Sequence, residues 1–168
     1  MSQIVGRVID RVNTVVGQAA AWLTLFMVLL TFVIVVIRYA FDGGLVWMQE
    51  SLTWMHAAVF MLGAAYTLHV DEHVRVDIFY RDMTDVRKAW VNLAGVLLFL
   101  LPLCAFFVYE SINYVMASWT IGETSLNTGG LPYPAVPLLK SMLVFMPVAV
   151  ALQGLSILLT SIATIRKR

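Results

Sequence analysis

Four stretches of twenty or more residues in this 168-residue chain contain no Asp, Glu, Lys or Arg: residues 12–37, 51–70, 89–109 and 141–165. Twenty helical residues rise roughly 30 Å, about the thickness of a bilayer's hydrocarbon core. Uncharged runs of that length read as membrane-crossing helices. Composition agrees: 61% of residues are hydrophobic and only 12% charged, with a mean hydropathy of +0.86. Soluble domains carry about 25% charged residues. The expectation is one all-α integral membrane domain with four transmembrane helices.

The chain is organised around residues 38–77, RYAFDGGLVWMQESLTWMHAAVFMLGAAYTLHVDEHVRVD, which hold all three histidines. This stretch reads as one crossing, with Glu50 at its entry and a dense charged cluster at its exit. The expected boundaries are 1–16 for an amphipathic surface helix and 17–38, 48–70, 89–110 and 138–163 for the crossings. Residues 111–136 are expected to form the connection on the outer side.

In the first segment, Ile4, Val5, Val8, Ile9, Val12, Val15 and Val16 recur at helical spacing, with Arg7, Asp10, Arg11 and Thr14 largely between them. Such a helix suits the membrane surface, or else forms the wet base of the first crossing. The small-residue run Ala19-Ala20-Ala21 precedes the most apolar part, so the first crossing reads as uncleaved. Phe41-Asp42-Gly43-Gly44 reads as a tight turn permitted by its paired glycines. Pro102 and Pro147 should kink their helices, and Pro137 suits a first helical turn. Between the last two crossings, SINYVMASWTI can prolong the third helix before Gly122, Gly129, Gly130, Pro132 and Pro134 break regular structure.

Orientation follows from Lys and Arg. Nine lie at the amino terminus, in the 71–88 loop and at the carboxy terminus; only Arg38 and Lys140 lie on the other side. The positive-inside rule then places both termini in the cytoplasm. Trp22, Trp47 and Trp90 fall near the expected interfaces, as an aromatic belt would.

Few residues carry chemistry. Glu50, flanked by Trp47 and Trp54, is costly near a membrane unless paired or wet, with Arg38 the available cation. His56 and Gly63 are one heptad apart, as are Ala57 and Ala64. That face reads as helix packing, with His56 donating a hydrogen bond across the contact. A haem-ligand reading of His56 and His69 meets a geometric objection: thirteen residues rotate them by about 220°. His69, Asp71, Glu72, His73 and Asp77 resemble a metal cluster but lack a completing ligand elsewhere, and Arg75 and Arg81 offer them salt-bridge partners. Cys104, alone in an apolar run, reads as a core residue. No phosphate-binding loop, no nucleophile with a base at readable spacing and no basic-aromatic patch is present. Neither an enzyme nor a nucleic-acid binder is expected.

The run R-Y-A-F…W-M-Q-E…M-L-G-A-A…E-H-V-R-V-D resembles the small membrane subunit (DctQ-like) of tripartite ATP-independent periplasmic (TRAP) transporters. The matching positions are Arg38, Tyr39, Phe41, Trp47, Glu50, Gly63, Glu72, His73, Arg75, Val76 and Asp77. The later segment G-G-L-P-Y-P-A-V-P-L-L-K, ending at Lys140, resembles that family's entry into its last helix.

The resemblance implies a non-catalytic scaffold in the bacterial inner membrane, holding no cofactor of its own. Its partners would be a large elevator-type (DctM-like) subunit that binds sodium and solute, a periplasmic solute-binding protein delivering an organic acid or related solute, and membrane lipids. Asp42, Glu123 and Pro132 would lie in loops facing the binding protein. The competing readings are a cytochrome-b-like membrane anchor of a redox complex and a self-sufficient small exporter.

Overall fold

The computed structural model describes residues 2–70 and 80–166, with side chains from Gly6 onward. The elements are α1 (Ser2–Ala40), α2 (Val46–His69), α3 (Asp85–Gly95), a π-helical turn (Val96–Leu100), α4 (Leu101–Thr120) and α5 (Ala135–Arg166). The described residues form no strand. Helix α5 is the hub, touching α1, α2, α3 and α4, while α1 and α2 also pack as neighbours.

The first segment differs from expectation. Helix α1 runs unbroken for 39 residues, about 58 Å, with no separate surface helix over 1–16. Its buried face is Gly6, Asn13, Gly17 and Ala20, whereas Val8, Val12 and Val15 are more than half exposed. The amphipathic pattern is only partly used within the bundle: Asp10 and Asn13 turn towards α5, whereas Arg7 and Arg11 are exposed. Asp10 and Asn13 find hydrogen-bond partners on α5, and this holds the amino-terminal part of α1 in line with the rest.

The turn after α1 also differs in detail. Asp42, not a glycine, takes the left-handed conformation at φ 50°, which aspartate tolerates better than most residues. The carbonyl of Ile37 accepts from the amides of Phe41 and Gly43, both at 3.2 Å.

The rod from Asp85 to Thr120 passes Pro102 through the π-helical turn, where the Leu101 amide donates to the Val96 carbonyl five residues back. Widening the turn accommodates the proline ring and its missing donor without ending the helix. The rod continues to Thr120, so residues 111–120 of the expected connection are helical. Pro137 lies in the first turn of α5, and both it and Pro147 are fully buried.

The core is built of small side chains. Ala20, Ala58, Ala65 and Ala89 are buried, and the largest fully buried residues are Pro137, Pro147 and Ser118. Phenylalanines, leucines and valines point outward along α1 and α4. Close backbone approach inside and large apolar groups outside is the arrangement that suits helices in lipid. Three rods, Gly6–Ala40, Asp85–Thr120 and Ala135–Arg166, are long and apolar enough to cross a membrane. Helix α2, at 24 residues, is long enough but is not among them; it carries Gln49, Glu50, Ser51, Thr53, His56 and His69 among its apolar residues. Composition alone therefore supports three of the four expected crossings. The secondary structure of the described residues is helical throughout, and the chain is a multi-pass membrane protein.

Gly17 is where α1 and α2 come closest to a clash. A Cβ there would lie 2.3–2.7 Å from Cβ, Cγ and Cδ2 of Tyr66, at the rigid base of that side chain. Gly17→Val should prevent α2 from seating on α1, lowering stability in detergent by about 1–3 kcal/mol. A thermal melt followed by size-exclusion fluorescence measures this; an unchanged midpoint would contradict the packing.

Candidate functional site

Polar side chains gather in three places. The first is at the end of the bundle where α2 and α5 begin. Glu50, in the first turns of α2, projects into the loop that joins α4 to α5. Its Oε1 accepts from Ser125 Oγ (2.5 Å) and Asn127 Nδ2 (2.8 Å), and its Oε2 accepts from the Leu131 amide (2.7 Å). Ser125 Oγ also accepts from the Asn127 amide at 3.1 Å, which tightens the loop locally. Gly130 passes directly over the carboxylate: a Cβ there would sit 2.7 Å from both oxygens and 2.3 Å from Ser125 Oγ. One turn along α2, Trp54 Nε1 donates to the Ala135 carbonyl at 3.2 Å and fixes the start of α5. Glu50 is thus seated by three neutral donors rather than by Arg38, whose side chain is exposed. The seat presents Leu126, fully exposed, at the loop's tip.

The second cluster ties α4 to α5. Gly122, with φ 60°, terminates α4 and lets the Glu123 amide reach back to the Ser118 carbonyl at 3.1 Å. Glu123 Oε2 then accepts from Lys140 Nζ and from Ser118 Oγ, both at 2.6 Å. Lys140 Nζ also sits 3.9 Å from the centre of the Tyr114 ring. The hydrogen bond from Lys140, followed by that from Ser118, holds the Glu123 carboxyl below its ordinary value of 4.5. Trp119 adds a second tie, donating to Ser141 Oγ at 2.9 Å.

The third cluster lies towards the opposite end. Asp10 Oδ1 accepts from Gln153 Nε2 (3.0 Å) and Ser156 Oγ (2.9 Å), while Asn13 Nδ2 donates to Gln153 Oε1 (2.6 Å). His69 Nδ1 lies 3.3 Å from both Asp10 Oδ1 and Gln153 Nε2. A protonated Nδ1 donates to Asp10, and a bare one accepts from Gln153. Gln153 and Asn13 are 2% and 7% exposed, so this network joins α1, α2 and α5 from within.

Of the other residues singled out from sequence, Arg38, Trp47, Asp42 and Pro132 are exposed at the end that carries Glu50. Lys140 and Glu123, assigned to different roles, are partners. His56 is exposed, and Ala57, Gly63 and Ala64 are half-buried. The alanines packed tightest within the chain are Ala58 and Ala65, one position further along. Glu72, His73, Arg75, Val76 and Asp77 lie outside the described residues, as do Asp71, Lys167 and Arg168. The described cations Arg7, Arg11, Arg81, Arg87, Lys88 and Arg166 fall at the end opposite Arg38 and Lys140 by the antiparallel course of the helices. Sequence reasoning missed Asp10, Asn13, Ser125, Asn127, Gln153 and Ser156. The available signal was the i, i+3 spacing of Asp10 with Asn13 and of Gln153 with Ser156.

Residues 27–165, more than four-fifths of the chain, match the family described as tripartite ATP-independent periplasmic transporters, DctQ component. The chain belongs to the DctQ family. No curated protein and no solved structure matches it. The DctQ match takes in the Glu50 seat, the Glu123–Lys140 tie and Gln153, but begins after Asp10 and Asn13. The third cluster therefore joins matched residues of α5 to residues of α1 that precede the match. As a DctQ component, the protein is a membrane part of a transport system.

Glu50→Gln leaves one acceptor oxygen where the carboxylate had two, so an amide donor faces either the Leu131 amide or the Asn127 side-chain amide, and Gly130→Ala pushes the loop off the carboxylate. Each should speed hydrogen–deuterium exchange across residues 123–131 while the helices keep their protection. The two acting on one contact should not add; additive effects would show that they stabilise the loop independently.

The Glu123 tie has a pH sign. A carboxyl held below its ordinary value contributes stability that is complete above 4.5 and is lost as pH falls through the lowered value. Faster exchange at residues 118–123 is expected only below pH 4.5, and Glu123→Gln should remove that acid dependence.

Proposed function

We propose that this protein is the small, non-catalytic scaffold subunit of a TRAP transporter in the bacterial inner membrane. It has four crossings, α2 being the second, and both termini in the cytoplasm. In this reading it works beside a large elevator-type subunit that carries solute and sodium. A periplasmic binding protein delivers an organic acid or related solute to the outer face, where the loop containing Glu123 and Pro132 and the turn containing Asp42 are exposed.

The observation that carries the reading is the DctQ match over residues 27–165. The internal geometry supports a static role. The polar groups of the three clusters are spent on ties between this chain's own helices, so they form a brace rather than a solute path. The distribution of cations between the two ends supports the orientation through the positive-inside rule. The redox-anchor alternative is weakened by the placement of the histidines: His56 and His69 lie on different faces of α2 and do not converge on one metal, while His69 Nδ1 is taken up by Asp10 and Gln153.

The test is purification from native membranes in mild detergent through a carboxy-terminal tag. A colourless preparation with a stoichiometric, much larger polytopic partner is expected. Solute uptake should require that partner, sodium and the binding protein after reconstitution. A red preparation carrying a redox enzyme, or uptake by this chain alone, would overturn the proposal.

A further inference from the structure

Helix α2 has two unlike sides. One packs on α1 and α5 through Ala58 and Ala65, at 0% and 2% exposure. The other carries Gln49, Thr53, His56 and Phe60, all exposed. Their spacing of four, three and four residues aligns them in one stripe. Gly63 continues it one heptad after His56, and a Cβ there would meet nothing within 4 Å, leaving a recess on the same side.

The stripe is at odds with lipid. His56 is about 15 Å along α2 from Val46 and about 20 Å from His69, so it lies near mid-membrane in either orientation. Its ring contacts Phe60 at 4.8 Å, but neither ring nitrogen has a hydrogen-bond partner among the described residues. Thr53 is satisfied locally, its hydroxyl donating to the Gln49 carbonyl at 3.2 Å. The unmet demand on this face is thus concentrated at His56 and the Gln49 amide. Acyl chains offer neither donor nor acceptor, and an imidazole left bare among them is costly. By contrast, α1 and α4 turn Leu29, Phe32, Leu103 and Phe106 outward, a surface lipid covers well. The same polar residues keep α2 from being as apolar as the other rods.

We propose that the Gln49–Thr53–His56–Phe60–Gly63 face of α2 docks on a membrane-spanning helix of the large transporter subunit, with His56 hydrogen-bonded across the contact to a polar group of that helix. This rests on the proposed function, which supplies a polytopic partner. The recess at Gly63 admits the partner's backbone, and the exposed ring of Phe60 packs beside it.

The test places a photo-crosslinking benzoyl-phenylalanine at Thr53, Phe60, Phe32 or Phe106, in cells making the whole transporter. Adducts with the large subunit are expected from positions 53 and 60 and not from 32 and 106. Adducts at 53 and 60 only with lipid or a second copy of this chain, while the large subunit still co-purifies, would overturn this assignment and leave the proposed function standing. Absence of any large co-purifying subunit, or a haem-containing preparation, would remove both. His56→Leu should lower recovery of the large subunit about threefold to tenfold, the scale of one interhelical hydrogen bond in a membrane. His56→Gln should restore part of it. Full recovery with leucine, at equal amounts of this chain, would refute the hydrogen bond.

Discussion

Hydrogen bonding where water is scarce is the constraint on which this structure depends. A polar group taken into an apolar medium must find its partner within the protein. Gln153 meets that demand with both ends of its amide: Nε2 donates to Asp10 and Oε1 accepts from Asn13. Those bonds hold Asp10 and Asn13 of α1 against α5. At the other end, Glu50 and Glu123 do the same for the loop between α4 and α5. The bundle is therefore fastened by polar contacts near both ends, with α5 between them.

Between the fastenings, packing depends on small residues. Ala58, Ala65 and Gly17 let α1 and α2 approach closely, and α5 buries Pro137 in its first turn and Pro147 in its interior. Because the interior needs little bulk, the large apolar side chains are left for the outside. A DctQ component with this build offers its surroundings a stiff body with a mostly apolar surface. Helix α2 is the exception, turning polar groups outward.

The helices were legible in the sequence because uncharged runs and their lengths are local properties. Glu50 was legible as a residue needing a partner, but the partner was not. Arg38 is near in sequence, whereas Ser125, Asn127 and Leu131 lie 75 to 81 residues away in a loop without periodicity. The amino-terminal segment misled for a different reason. Its amphipathic pattern is the same whether the apolar side is buried in a membrane surface or left facing outward, and only the long-range pairing of Asp10 and Asn13 with Gln153 decides. Likewise, Ala57 and Ala64 differ from Ala58 and Ala65 by one position, or about 100° of rotation. Heptad spacing cannot tell which pair faces the neighbouring helix.

The central claim is that these polar fastenings make the chain a fixed body during transport. Pulsed electron–electron distance measurements test it most directly, with Cys104 replaced by serine and spin labels at Leu126 in the loop and Ile162 on α5. The account predicts one narrow distance distribution in the assembled transporter, unchanged by sodium, solute or the binding protein. A distribution that shifts or splits during turnover would contradict it, showing that this subunit moves with its partner.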